Sequence, residues 1–127
     1  MAIRTELNLR LQNSPGALAR VCQVLAGERV SLIALCLEGN GTLRIVVDNH
    51  VHAVSILREQ HYQVEERDVL YTLVPNQPGS LARAVRLVAD AGLNLDYAYA
   101  SGVDNDPMVG VVIGVRDAMR ASAAAGI

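Results

Sequence analysis

One stretch of this chain is used twice. Asn13-Ser14-Pro15-Gly16-Ala17-Leu18-Ala19-Arg20 returns as Asn76-Gln77-Pro78-Gly79-Ser80-Leu81-Ala82-Arg83, identical at six of eight positions and offset by 63 residues. In the same frame Ala26 stands opposite Ala89, Leu32 opposite Leu95 and Gly39 opposite Gly102. A fixed period means one structural unit built twice. In each copy an alternating run arrives at Asn, and a helical pattern leaves after Pro. Proline has a preset φ and no N–H to lose, so Pro15 and Pro78 suit the first helical position. Ser14 is then the expected N-cap, with Gln77 a poorer one in the same place. Gly16 and Gly79 leave the turn without a side chain, so another group can approach the backbone. The first N–H groups of a helix are unpaired and carry partial positive charge. Each copy therefore offers an anion-sized docking point at a strand-to-helix turn.

The repeat divides the 127 residues into two units, 1–68 and 69–127. Units of about 60 residues are near the lower limit for a self-sufficient core, so the two are expected to lean on each other. A hydrophobic content of 51% marks a folding chain, and a net charge of −2 argues against a general nucleic-acid binder. No basic run suits a membrane surface, and no apolar stretch reaches transmembrane length. Met1-Ala2-Ile3-Arg4 does not begin a signal peptide. Cys22 and Cys36 do not make a disulfide framework. A soluble cytoplasmic protein is expected.

In chain order, Leu7, Leu9 and Leu11 alternate as in a half-buried strand. After the first turn, Leu18, Val21, Cys22 and Leu25 form one apolar helix face, with Gly27 as the expected stop. Ser31 to Glu38 reads as a second strand, Gly39-Asn40-Gly41 as a hairpin and Leu43 to Val47 as the return. Asp48 or Asn49 can cap a second helix with Val51, Val54 and Leu57 inward, and Tyr62 to Asp68 reads as a fourth strand. The first unit is thus β-α-β-β-α-β. Val69 to Val74 opens the second unit without a linker. Its helix carries Leu81, Val85, Val88 and Ala91 and ends at Gly92; Leu95, Tyr97 and Tyr99 share one strand face. Met108 to Val115 returns, and Asp117 starts an Ala-rich helix. Ten residues follow Asp117, too few for a helix and a strand, so the second unit is expected to lack its last strand.

That element order, with Asn-x-Pro-Gly-x-Leu at the first strand-to-helix turn twice in register, resembles the ACT domain. Gly92-Leu93-Asn94-Leu95 also matches the family's habit where the second strand begins. The resemblance covers nearly the whole chain and is greatest to small stand-alone tandem ACT proteins. It implies an α+β fold of two ferredoxin-like units, each an antiparallel sheet with its helices on one face. It further implies side-by-side pairing, a small ligand bound at the pair interface, most often an amino acid, and regulation of metabolic enzymes. Carried over residue by residue, the ligand contacts are the turns Asn13 to Ala17 and Asn76 to Ser80, with Ser31 and Asn94 opening the second strands. These are Asn13, Ser14, Pro15, Gly16 and Ala17 in one turn, and Asn76, Gln77, Pro78, Gly79 and Ser80 in the other. Ser31 departs from the family's Asn. The two pockets are therefore expected to be unequal, Asn13 with Asn94 being richer in amide donors than Asn76 with Ser31.

The plain alternative for the turns is geometry alone, in a module that dimerises and binds nothing small. A third reading is a regulatory subunit seated on a biosynthetic enzyme. Cys22 and Cys36 read as small buried hydrophobes, His50, His52 and His61 as solvated residues, and Asp104-Asn105-Asp106 as a hairpin turn. Tyr97 and Tyr99 read as core, with covering a ligand as the alternative. Arg20 and Arg83 read as solvated surface residues within reach of an anionic ligand. No catalytic constellation, cofactor motif or metal-spaced set is present, so an enzyme is not expected. With its last strand missing, the second unit would expose the edge from Tyr71 to Val74, which predicts a homodimer or larger assembly; the alternative is that the Ala-rich tail or the N-terminal residues fold back over that edge within one chain.

Overall fold

The computed structural model describes residues 1–124, Ala124 by its backbone alone. The chain divides into two compact units. One is Thr5–Arg67; the other joins Met1–Arg4 to the residues from Asp68 onward.

The first unit is built from β1 (Ala2–Arg10), α1 (Ala17–Gly27), β2 (Leu32–Leu37), β3 (Thr42–Val47), α2 (His50–Glu59) and the start of β4 (Val64–Pro75). Its strand order is β2-β3-β1-β4. β1 and β2 both run antiparallel to β3, with Leu7 and Leu35 each opposite Ile45. The alternation in β1 does what it predicts. Leu7, Leu9 and Leu11 are buried and pack with Val21, Leu25, Leu43 and Leu57 in one apolar cluster. Each leucine so buried contributes about 1.5–3 kcal/mol relative to exposure. Helix α2 turns slightly from the expected face. Val51 is 69% exposed, while Ala53 and Ile56 join Val54 and Leu57 inside. Of the two cap candidates Asn49 serves, accepting from the His52 amide.

The second unit holds β4, α3 (Ser80–Asp90), β5 (Leu95–Ser101), β6 (Met108–Val115) and α4 (Ala118–Ala124). β4 and β5 both run antiparallel to β6. Leu70, Val111, Ile113 and Val115 pack with Ala84 and Val88 of α3 and with Ala118 and Ala121 of α4. Leu81, expected inside, is 49% exposed. Among the described residues no strand follows α4, whose cap is Asp117, accepting from the Arg120 amide.

The expected open edge along Tyr71–Val74 is absent. β4 lies between β1 and β6. Within this unit Met1 joins the apolar cluster, its carbonyl accepts from the Ser122 hydroxyl at 3.3 Å, and Arg4 lies over the Tyr71 ring at 5.1 Å. The first residues of β1 thus occupy the place a fourth strand would take. The reason for expecting a dimer through β4 falls away. β1 and β4 are long strands, and each supplies residues to both units.

Two further expectations are corrected. Gly27 is the last helical residue of α1, and the left-handed residue that ends the helix is Arg29 (φ 58°). The Val30 amide bonds the Leu25 carbonyl and the Arg29 amide that of Ala26, a Schellman ending. His61 (φ 69°) ends α2 in the same way. Tyr97 and Tyr99 stand outside the apolar cluster, half-buried, with rings stacked at 6.3 Å. Register sets them on the opposite face of the sheet, beside Gly114 and Val112, whereas Val111, Ile113 and Val115 face the cluster; a Cβ on Gly114 would collide with the Tyr97 ring. Both cysteines are half-buried and unpaired with each other.

Among the described residues no helix is long and apolar enough to cross a membrane, and no cluster of His, Cys, Asp or Glu is placed to hold a metal.

Candidate functional site

The Asn-x-Pro-Gly turn does not begin the helix at proline. α1 starts at Ala17, its N-cap is Gly16 at φ 80°, ψ 0°, and no side chain caps it. Ala17 donates back to the Ser14 carbonyl at 3.3 Å, so Ser14 to Ala17 is a type II turn. Such a turn places its third residue at positive φ, which is the reason for glycine; no atom lies within 4 Å of a Cβ built there. The Gly16 carbonyl then accepts from the Arg20 amide at 2.9 Å. The second copy repeats this in Gln77 to Ser80, with Gly79 at φ 86°. Ser14 is therefore not the cap that the sequence predicts. Proline has moved one step earlier, into the turn, and the Leu18 and Ala19 amides have no partner among the described residues.

A cavity of about 400 Å³ opens beside this turn in the first unit. Asn13, Ser14, Gly16 and Ala17 line it on one side; Leu37, Glu38 and Gly41 of the β2–β3 hairpin line it on the other. Leu11 and Leu18 make its apolar wall. The hairpin is held there by a single close approach. The Leu11 amide donates to the Gly41 carbonyl at 2.8 Å, and a Cβ on Gly41 would sit 2.5 Å from the Leu11 oxygen. Glu38 is paired through one carboxylate oxygen with Arg44 at 3.1 Å, and Arg44 also donates to the Asn8 amide oxygen at 2.8 Å. The Asn13 side chain is exposed and has no partner among the described residues.

Asn76 occupies the same place in the repeat and does something else. Its NH₂ group donates to the carbonyls of Val103, Asp104 and Asp106, and its backbone amide to that of Pro107. The longer β5–β6 hairpin has been drawn onto the turn and has taken up the donors. The cavity beside Asn76 measures about 290 Å³. Ser80, the counterpart of Ala17, is buried, and its hydroxyl has no partner among the described residues.

Ser31 and Asn94 lie elsewhere. β1 and β2 are parallel to one another because both oppose β3, so Ser31 at the start of β2 and the turn beyond the end of β1 lie at opposite ends of that sheet. The Ser31 backbone is bonded to Asp48 in both directions. The same reasoning separates Asn94 from Asn76 within the second unit. Asn94 lines a different cavity of about 410 Å³ with Asp96, Arg116 and Arg120.

The family model described as "ACT domain pair" matches residues 1–121. The chain is a member of the ACT domain-pair family. Among solved structures it is similar to protein BT0572 from Bacteroides thetaiotaomicron, at 30% identity over 96% of this chain and 85% of that one, with a TM-score of 0.85. The regulatory subunit of aspartate kinase from Thermus thermophilus, in ligand-free form, shares 20% identity over 98% of this chain and 92% of that one, with a TM-score of 0.69. The corresponding subunit from Thermus flavus shares 19% identity over 98% and 94%, with a TM-score of 0.65. At these lower identities the likeness is one of fold. No curated protein sequence matches the chain.

In this ACT pair the residues that sequence reasoning missed are those of the hairpin tip, Leu37, Glu38 and Gly41. The signal was present. Gly39-Asn40-Gly41 marks a hairpin, and β3 leaves it beside the end of β1, with Thr42 opposite Arg10. Together these bring the tip to the Pro-Gly turn.

Proposed function

We propose that this ACT domain pair binds a small aliphatic amino acid at the Asn13–Ala17 turn and regulates a partner enzyme through that binding. One observation carries the reading. A helix begins without a side-chain cap at the wall of a cavity that also holds an unpartnered carboxamide and half of a carboxylate. The ligand carboxylate takes the Leu18 and Ala19 amides, where the helix end favours negative charge. The ammonium takes the second oxygen of Glu38 and the Asn13 amide oxygen. Leu11, Leu18 and Leu37 receive an aliphatic side chain. The regulatory role is carried over from the aspartate kinase regulatory subunits that share the fold.

A second copy of the chain completes the site in this reading. β2 is an edge strand of its unit, and Leu32, Leu35 and Leu37 on it are 37%, 38% and 44% exposed. An apolar edge of this kind is a template for another strand. Pairing along it would close the cavity on the Leu37 side and bring in a second-strand residue, Ser31 or Asn94, from the partner.

A melting-temperature screen against the common amino acids tests this. A ligand at about 100 times its dissociation constant adds roughly 2.7 kcal/mol to stability. An aliphatic amino acid is expected to raise the melting temperature. If none does, the module that dimerises without a small ligand takes its place.

A further inference from the structure

On the other side of the same turn lies a second cavity, of about 440 Å³, with a different character. Arg10, Arg20 and His61 line it, together with Gln12, Gln60 and Gln63, and no carboxylate does. Neither guanidinium has a hydrogen bond or an ion pair among the described residues. Glu65, which lines the adjoining groove with Arg10, makes no ion pair with it. Two unpaired guanidiniums around one concavity repel each other, and both favour the same remedy, an oxyanion. Guanidinium forks match carboxylate and phosphate oxygens, and the glutamine amides add neutral donors. His61 is set at the rim by the backbone of the α2 ending.

The repeat separates what the fold needs from what this cavity adds. At the offset of 63, Arg20 corresponds to Arg83, but Arg10 corresponds to Leu73 and Gln12 to Pro75. The second unit forms its strand, turn and helix without the second arginine, so the turn does not require Arg10.

We propose that this cavity binds a small oxyanion of at least two negative charges, a phosphoryl or polycarboxylate compound, as a second ligand apart from the amino acid. Asn13 does not line this cavity, and Arg10 and Arg20 do not line the other. The two proposals can therefore fail separately.

Titration calorimetry on the full chain at matched ionic strength, with pyrophosphate and with citrate as probes, decides it. Saturable binding of at least one probe is expected. Arg10→Leu, which copies the second unit, and Arg20→Gln should each weaken it about tenfold or more. Arg83→Gln and Asn13→Ala should leave it unchanged. Binding of pyrophosphate alone would assign a phosphoryl ligand, and of citrate alone a polycarboxylate. Absence of saturable binding for both probes would overturn the proposal. So would equal losses in Arg20→Gln and Arg83→Gln, which would mark diffuse attraction to surface charge.

Discussion

Asn13 and Asn76 are the same residue at the same place in a repeat, and they have different work. Asn13 keeps its amide open to the cavity; Asn76 spends its donors on the 103–106 loop. Asn13→Ala should weaken amino-acid binding about tenfold while moving stability by less than about 0.5 kcal/mol. Asn76→Ala should cost about 1–2 kcal/mol by stripping the loop carbonyls of their donor. Denaturant unfolding of both variants separates them, and equal stabilities would sink the distinction. The sequence showed the repeat but not this divergence, because it depends on the length of a hairpin over twenty residues downstream. Ser80 offers a second test. Its hydroxyl is buried without a partner where the first unit has Ala17. Ser80→Ala should raise stability by about 1 kcal/mol, the usual cost of an orphaned polar group. An unchanged or lower unfolding midpoint would show the hydroxyl to be satisfied.

At the scale of elements, patterns local to one segment were legible. The alternation of Leu7, Leu9 and Leu11 fixed the inward face of β1, and element order followed from the turns. The starts of α1 and α3 were misplaced because proline fits both the first helical position and the second position of a type II turn, whereas Asn49 and Asp117 cap α2 and α4 as expected. The bond from Ala17 to Ser14 and the positive φ of Gly16 decide between the two places for proline. The double use of β1 was legible only as an alternative to a dimer, the N-terminal residues covering the Tyr71–Val74 edge. Nothing in Met1-Ala2-Ile3-Arg4 announces that it serves the unit beginning at Asp68, since strand pairing between distant segments leaves no local mark. Removing residues 1–4 should therefore loosen the second unit. Hydrogen exchange is expected to speed up along β6 and the later half of β4, with β2 and β3 keeping their protection. Faster exchange confined to β2 and β3 would contradict the assignment of these residues.

At the scale of the molecule, the family resemblance anticipated an ACT pair, and the match over residues 1–121 establishes it. The site is less evenly laid out than the repeat implies. An uncapped helix start, a hairpin tip and an open carboxamide meet in the first unit; the corresponding turn of the second is tied to its loop. The most direct measurement is an amide NMR titration of the full chain with the amino acid that most raises its melting temperature. Gly16 to Ala19 and Glu38 to Gly41 should shift saturably, and Gly79 to Ala82 should stay in place. If the first-unit amides are silent while the ligand binds, or if both turns shift together with equal affinity, the account of this site is wrong.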